Sequence, residues 1–184
     1  MYPDGGIARL KVFGVVVPNI IKHVMIDVAS LQNGARALEF SNAHYGSPMR
    51  LLQLDRSLGM FDGWETARNP NRPHVYLNGD DGNLIIPGNE WAVIKLGVPS
   101  IVRSVVVDTL HYKGNFPESC EILGCLASDD FQEKFWTHLI TRVKLGGHQE
   151  HFFDSLNNAP ITHVKLIMYP DGGISRLRLM GTPI

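Results

Sequence analysis

Tyr2-Pro-Asp-Gly-Gly-Ile-Ala-Arg-Leu-Lys-Val-Phe-Gly14 opens the chain, and Tyr169-Pro-Asp-Gly-Gly-Ile-Ser-Arg-Leu-Arg-Leu-Met-Gly181 almost closes it, 167 residues later. Nine of the thirteen positions are identical; Ala8/Ser175, Lys11/Arg178, Val12/Leu179 and Phe13/Met180 keep size or polarity. A period of that length is too long for a solenoid unit and matches a whole domain. The chain therefore divides into residues 1–14, expected to be the orphan terminal strand of a preceding repeat, and residues 15–184, expected to be one complete domain.

The phrase has the chemistry of a turn and a return strand. Pro170 presets the backbone for a turn, Asp171 can bond back to the following amides, and Gly172-Gly173 accept positive φ. Leu177 and Leu179 then alternate with Arg176 and Arg178, which predicts one inward and one wet face. Val164, Leu166 and Met168 alternate in the same way before the turn. A final hairpin is the expectation.

A chain of 184 residues with 44% hydrophobic and 19% charged residues is long enough to bury one core without metal or disulfide. The formal net charge of −1 gives no electrostatic reason to expect nucleic acid or an anionic membrane. No signal-peptide pattern opens the sequence, and no apolar run is long enough to span a bilayer. Cys120 and Cys125 sit five apart on one expected strand, pointing to opposite faces, so they are expected to be free thiols in a reducing, cytoplasmic compartment. The terminal Thr182-Pro183-Ile184 is not a peroxisomal tripeptide.

Along the chain, Val15–Pro18 reads as a linker and Lys22–Ser30 as a first strand. Gly34–Asn42 leads into the polar run Ser41-Asn-Ala-His-Tyr-Gly46, and Met49–Leu54 is the best short helix of the first half. Gly59–Glu90 is dense in Gly, Pro, Asn and Asp, and a long loop of this kind in a compact domain points to function or disorder. Its later part, His74–Glu90, reads as an inserted hairpin turning at Asn78–Gly82. Trp91–Leu96 and Ile101–Thr109 read as two strands, followed by the polar and aromatic loop Leu110–Pro117. Ser119–Ser128 and Thr137–Leu145 are further strands, with a helical turn expected over Asp129–Phe135, capped by Ser128. His151–Phe153 precedes the final hairpin. Short strands with almost no helix predict an all-β, antiparallel jelly-roll β-sandwich. An immunoglobulin-like sandwich lacks its Cys, Trp, Cys spacing here.

Four motifs in order, Asp62-Gly-Trp-Glu-Thr-Ala-Arg68, Trp91-Ala-Val-Ile-Lys-Leu-Gly97, Val107-Asp-Thr-Leu-His-Tyr-Lys-Gly-Asn-Phe-Pro-Glu-Ser-Cys120 and Tyr169-Pro-Asp-Gly-Gly-Ile-Ser-Arg-Leu177, resemble those of the allantoicase family. The resemblance covers nearly the whole chain. It implies a galactose-binding-domain-like jelly roll, and a hydrolase of linear amidine C–N bonds that turns allantoate and water into ureidoglycolate and urea in purine catabolism. The chain resembles the second of that family's two tandem repeats, preceded by the last strand of the first. The alternative is a catalytically inactive jelly roll that binds a small polar ligand or a protein partner.

Cleaving a urea from allantoate calls for a cation on the carboxylate, acceptors for ureido N–H groups and a base for water. Arg68 suits the carboxylate. Glu65, Asp108 and His111 are the candidate catalytic groups, and Asp62, Trp64, Arg68, Lys113 and Asn115 the candidate substrate contacts. Competing readings stand beside these. Trp64 fits a core aromatic, Glu65 and Arg68 a surface ion pair, Asp108 a turn cap and His111 a structural histidine. Arg176 and Arg178 fit a solvated or interface face, and Asp4 and Asp171 fit turn formers. No cofactor is predicted; His148-x-x-His151 lacks a third metal ligand nearby, and a divalent metal would need ligands gathered from separate loops. The expected partner is a small ureide, with a homo-oligomer or strand exchange arising from the orphan strand.

Overall fold

The computed structural model describes residues 5–7, 10–14, 17–128 and 135–184. Ten strands carry the fold among the described residues. They are β1 (Ile26–Asp27), β2 (Arg36–Phe40), β3 (Trp64–Glu65), β4 (Glu90–Asp108), β5 (Ser119–Cys125), β6 (Thr137–Lys144), β7 (Glu150–Asp154), β8 (Ile161–Tyr169), β9 (Gly173–Ile174) and β10 (Arg176–Pro183). Every pairing is antiparallel. The short helix expected near Met49 is a 3-10 turn, Pro48–Leu52, capped by the Ser47 hydroxyl, and β2 lies in a stretch to which the sequence reading gave no element. The helical turn expected over Asp129–Phe135 falls on residues 129–134, outside the described residues. So do residues 2–4 and 8–9 of the first phrase.

The sequence predicts two strands where the protein has one. β4 runs through nineteen residues, and its first half pairs with β2 and β8 while its second half pairs with β10 and β7. Between Lys95 and Ser100 the register against β8 shifts, from His163 to Ile161, so the strand bulges and turns from one set of neighbours to the other. Gly97 permits this. Its N–H donates to Val28 O at 3.1 Å, and a Cβ there would lie 1.8 Å from Asn33 O. A strand that changes sheets at a bulge is how two layers of a sandwich are stitched together. Between them lie Val28, Leu51, Ile94, Val105, Ile122, Leu139, Val164, Leu166, Leu177 and Leu179 in one buried cluster.

The expected final hairpin is not formed. β8 and β10 are separated by β4 and never pair with each other. The chain between them is engaged elsewhere, because β9 pairs with β3, Trp64 facing Ile174 and Glu65 facing Gly173. The expected alternation of β8 is present, with Val164, Leu166 and Met168 fully buried.

The expected wet face of β10 is also overturned. Arg176 is only 2% exposed. Its Nε donates to Asp55 O at 2.6 Å, its Nη1 to Asp62 O at 2.5 Å and its Nη2 to Asp62 Oδ2 at 2.8 Å. Arg178 donates to the carbonyls of Gln53, Leu54 and Asp55, and pairs with Asp27 at 3.4 Å. The loop 53–62 thus covers the face that alternation left for solvent, and two guanidinium forks satisfy its carbonyls. Asp171 is likewise more than a turn former, since its carboxylate accepts from Asn69 N and from the Arg72 fork.

The expected hairpin at 74–90 reduces to a single bridge, Asn78 to Leu84, supported by Ile85 N donating to Leu77 O at 2.8 Å. Cys120 and Cys125 are both free and buried. No helix among the described residues is long and apolar enough to cross a membrane. In the first phrase, Ile7, Leu10, Val12 and Phe13 are 84–91% exposed.

Two outcomes follow from the Arg176 clamp. Arg176→Ala leaves Asp62 and three backbone carbonyls without their buried donor, and a loss of about 3–5 kcal/mol in urea unfolding is expected; a loss under about 1 kcal/mol would show that the clamp is not structural. Burial pushes the Asp62 carboxyl up, but the Arg176 hydrogen bond, the Leu58 amide and the charges of Arg176 and Arg50 together hold it below its ordinary 3.8. Its folded value lies below the unfolded one, so its contribution is present above pH 3.8 and is lost as pH falls through the lower folded value. Unfolding measured in pH steps is expected to show this acid-side slope in the wild type and a shallower one in Asp62→Asn.

Candidate functional site

Glu65 stands at the centre of the candidate site because three backbone segments meet there. Its N–H donates to Tyr45 O, and its carbonyl accepts from His44 N and Tyr45 N, all at 2.9–3.1 Å. On its other side it faces Gly173 of β9. Trp64, next to it, is fully buried, and its indole N–H donates to Asn42 O at 2.9 Å. Asn42 Oδ1 also accepts from Ala67 N at 2.9 Å. The polar run Ser41–Gly46 is thereby strapped across β3.

The second phrase builds the opposite wall. Thr66 N donates to Gly172 O and Gly172 N to Thr66 Oγ1, while Gly173 N donates to Asn115 O at 2.8 Å. Two adjacent glycines are needed because nothing larger fits. A Cβ on Gly172, whose φ is +142°, would lie 2.7 Å from Pro117 N, and one on Gly173 would lie 2.0 Å from the Tyr112 ring. The Tyr112 hydroxyl donates to Met60 O at 2.8 Å, tying this wall to the loop below, and burial pushes its pKa well above the ordinary value.

Between the walls is a cavity of about 230 Å³ lined by His44, Tyr45, Glu65, Thr66, Arg68, Arg72, Gly114, Asn115, Asp171 and Gly172. Glu65 Oε1 accepts from Asn115 Nδ2 at 2.7 Å, so a carboxylate and a carboxamide brought from two distant motifs share one hydrogen bond. Arg72 is held by Asp171 in a two-pronged pair, with Nε to Oδ2 at 2.9 Å, and both the fork and burial set its pKa, the hydrogen bonds winning and raising it. Arg68 is exposed and, among the described residues, has no carboxylate within ion-pair distance. The cavity offers one free guanidinium, one fixed guanidinium, a carboxylate and a carboxamide.

Three of the eight residues singled out from the sequence line this cavity, namely Glu65, Arg68 and Asn115. Glu65 bonds to Asn115 rather than pairing with Arg68. Trp64 is fully buried, belongs to the core and does not line the cavity. Asp62 faces the other way and is engaged by Arg176. Asp108 is 2% exposed, caps Leu110 N at 2.8 Å and lies 3.8 Å from Arg56. His111 Nε2 donates to Ser57 O at 2.8 Å, and its backbone N–H to His148 Nδ1 at 3.0 Å. Asp108 and His111 therefore fasten the turn after β4 to the loop 55–57, outside the cavity, and the exposed Lys113 lines none of the cavities described. His148 and His151 serve backbone N–H and carbonyl groups. Among the described residues no group of three or more His, Cys, Asp or Glu is placed to hold a metal ion.

Sequence reasoning passed over His44, Arg72, Thr66 and the cavity-lining position of Asp171. The polar run containing His44 was a visible signal, as was the exact return of Pro-Asp-Gly-Gly. Arg72, in a loop of turn residues, gave none.

Comparison with known proteins agrees with the fold and with this set of motifs. A family model described as the allantoicase repeat matches residues 26–184. A probable allantoicase of Pseudomonas paraeruginosa is 43% identical across 100% of this chain and 54% of its own length. The crystal structure of allantoicase from Saccharomyces cerevisiae superposes with a TM-score of 0.77 at 40% identity, over 98% of this chain and 49% of that one. A family 32 carbohydrate-binding module from Streptococcus pneumoniae shares the fold, with a TM-score of 0.56 at 10% identity over 83% of this chain and 97% of the module. The chain thus matches a whole single sandwich and spans about half the length of the allantoicases. It belongs to the allantoicase repeat family.

Proposed function

We propose that this chain is one lobe of an allantoate-hydrolysing enzyme and that the cavity around Glu65 is where the ureide binds. The observation that supports this most is the convergence of Glu65, Arg68 and Asn115 on one small polar cavity. Allantoate needs a carboxylate anchor, a base and hydrogen-bonding partners for planar ureido groups, and this set supplies each. Arg68 takes the carboxylate in its fork. Glu65, oriented by Asn115, accepts a proton from water. The water oxygen adds to the carbon that bears the carboxylate while the bond from that carbon to one ureido nitrogen breaks. The proton held on Glu65 then passes to the departing nitrogen, so ureidoglycolate and urea leave and the carboxylate is restored. His44 lines the same space and offers a second hydrogen-bonding group to the leaving ureide.

In this reading residues 1–14 are the closing strand of a preceding lobe. Ile7, Leu10 and Val12, exposed here, occupy the phrase positions of Ile174, Leu177 and Leu179, which are fully buried. The first set needs another sandwich to cover it, supplied by a preceding lobe or by strand exchange between copies. The free thiols of Cys120 and Cys125 suit a reducing cytoplasm.

Urea release from allantoate is expected from this chain when a preceding repeat is joined to it. Glu65→Gln is expected to lower kcat by roughly a hundredfold or more, and Arg68→Lys to raise KM about tenfold with a smaller effect on kcat. Unchanged turnover in Glu65→Gln would remove Glu65 from the chemistry. A further check uses this chain alone, where allantoate is expected to raise the melting temperature and Arg68→Ala to abolish the rise.

A further inference from the structure

Allantoate carries two identical ureido groups on one carbon, related by a mirror plane, whereas ureidoglycolate is chiral at that carbon. Releasing always the same ureido group requires three fixed points of contact. Arg68 on the carboxylate and Glu65 with Asn115 at the reacting group make two. From the same cavity we infer that Arg72, locked by Asp171, is the third, holding the carbonyl oxygen of the retained ureido group and so choosing which one leaves. This rests on the reading that the cavity binds allantoate.

The two arginines of the cavity differ in the property that matters. Arg68 is exposed and has no carboxylate partner among the described residues, so it can follow a carboxylate wherever the ligand sits. Arg72 cannot move in that way. Its fork grips a carboxylate that is only 4% exposed and that also accepts Asn69 N at 2.9 Å. The Arg72 side chain itself is 26% exposed. Two of its five N–H groups go to Asp171 and the Tyr76 hydroxyl engages the same guanidinium, which still leaves N–H groups for a neutral acceptor, and a ureido carbonyl is such an acceptor. A rigid donor fixes orientation where a flexible one adds affinity alone.

Its position also fits. Arg72 lines the cavity of about 230 Å³ and also an adjoining one of about 410 Å³, whose walls include Tyr76, Leu84, Ile86 and Phe116. It is the shared wall between the reacting groups and a larger space that can receive the retained ureido arm. Pro-Asp-Gly-Gly is thereby given a chemical role beyond turning the chain, because its aspartate locks the arginine and its glycines let the walls close.

The test is calorimetric titration of this chain, Arg72→Gln and Asp171→Asn with allantoate and with each enantiomer of ureidoglycolate separately. The wild type is expected to bind one enantiomer roughly tenfold or more tightly than the other, as loss of one well-placed hydrogen bond predicts. Both variants are expected to bring that ratio close to one while still binding allantoate, more weakly than the wild type does. Asp171→Asn keeps the arginine and frees it, so it serves if Arg72→Gln fails to fold. A wild type that binds allantoate without preferring an enantiomer, or variants that keep the preference, would overturn the role of Arg72 while leaving the proposed function standing. A wild type that binds no allantoate would overturn both.

Discussion

The buried guanidinium of Arg176 is the contact on which the site depends. It reaches from β10 to the backbone of Asp55 and to both the carbonyl and the carboxylate of Asp62. The loop it fixes leads directly into Trp64 and Glu65. A fork with five donors is one of few side chains able to hold a loop by several carbonyls at once, and burial makes each bond stronger and any unpaired group more costly. Three residues upstream, Gly173 pairs with Glu65 itself. One short phrase of sequence therefore sets both the floor and one wall of the cavity.

Strand content was legible because the pattern of Val164, Leu166 and Met168, or of Leu177 and Leu179, follows from pleating alone. What alternation could not give was what covers the second face. Arg176 looked like a solvated residue because nothing local shows that residues 53–62 lie over it. β4 looked like two strands because Gly97 and Pro99 break the hydrophobic run, and only the partners on each side reveal that the backbone continues through a bulge. The phrase itself looked like a hairpin because turn chemistry is local, whereas the strand between β8 and β10 comes from about seventy residues earlier in the chain.

The same limit shaped the site. Glu65, Arg68 and Asn115, which line one cavity, were legible because their motifs are unusual. Asp108 and His111 carry equally suitable groups but are consumed by a turn cap and a carbonyl contact. Side-chain type alone does not separate a reactive group from one satisfied by its neighbours. Arg72 and His44 come from loops whose composition signals only irregular backbone. Their placement arises from long-range contacts, Arg72 through a carboxylate ninety-nine residues away.

A single sandwich that matches about half of each allantoicase lines the whole cavity with its own residues, and the proposed binding therefore lies within one lobe. A crystal structure of this chain with allantoate bound tests that most directly. The ligand carboxylate is predicted on the Arg68 guanidinium, with a ureido group against Glu65 and Asn115 and the carbonyl of the other on Arg72. Allantoate seated instead at the turn of Asp108 and His111, or a cavity with no ligand at saturating concentration, would contradict the account.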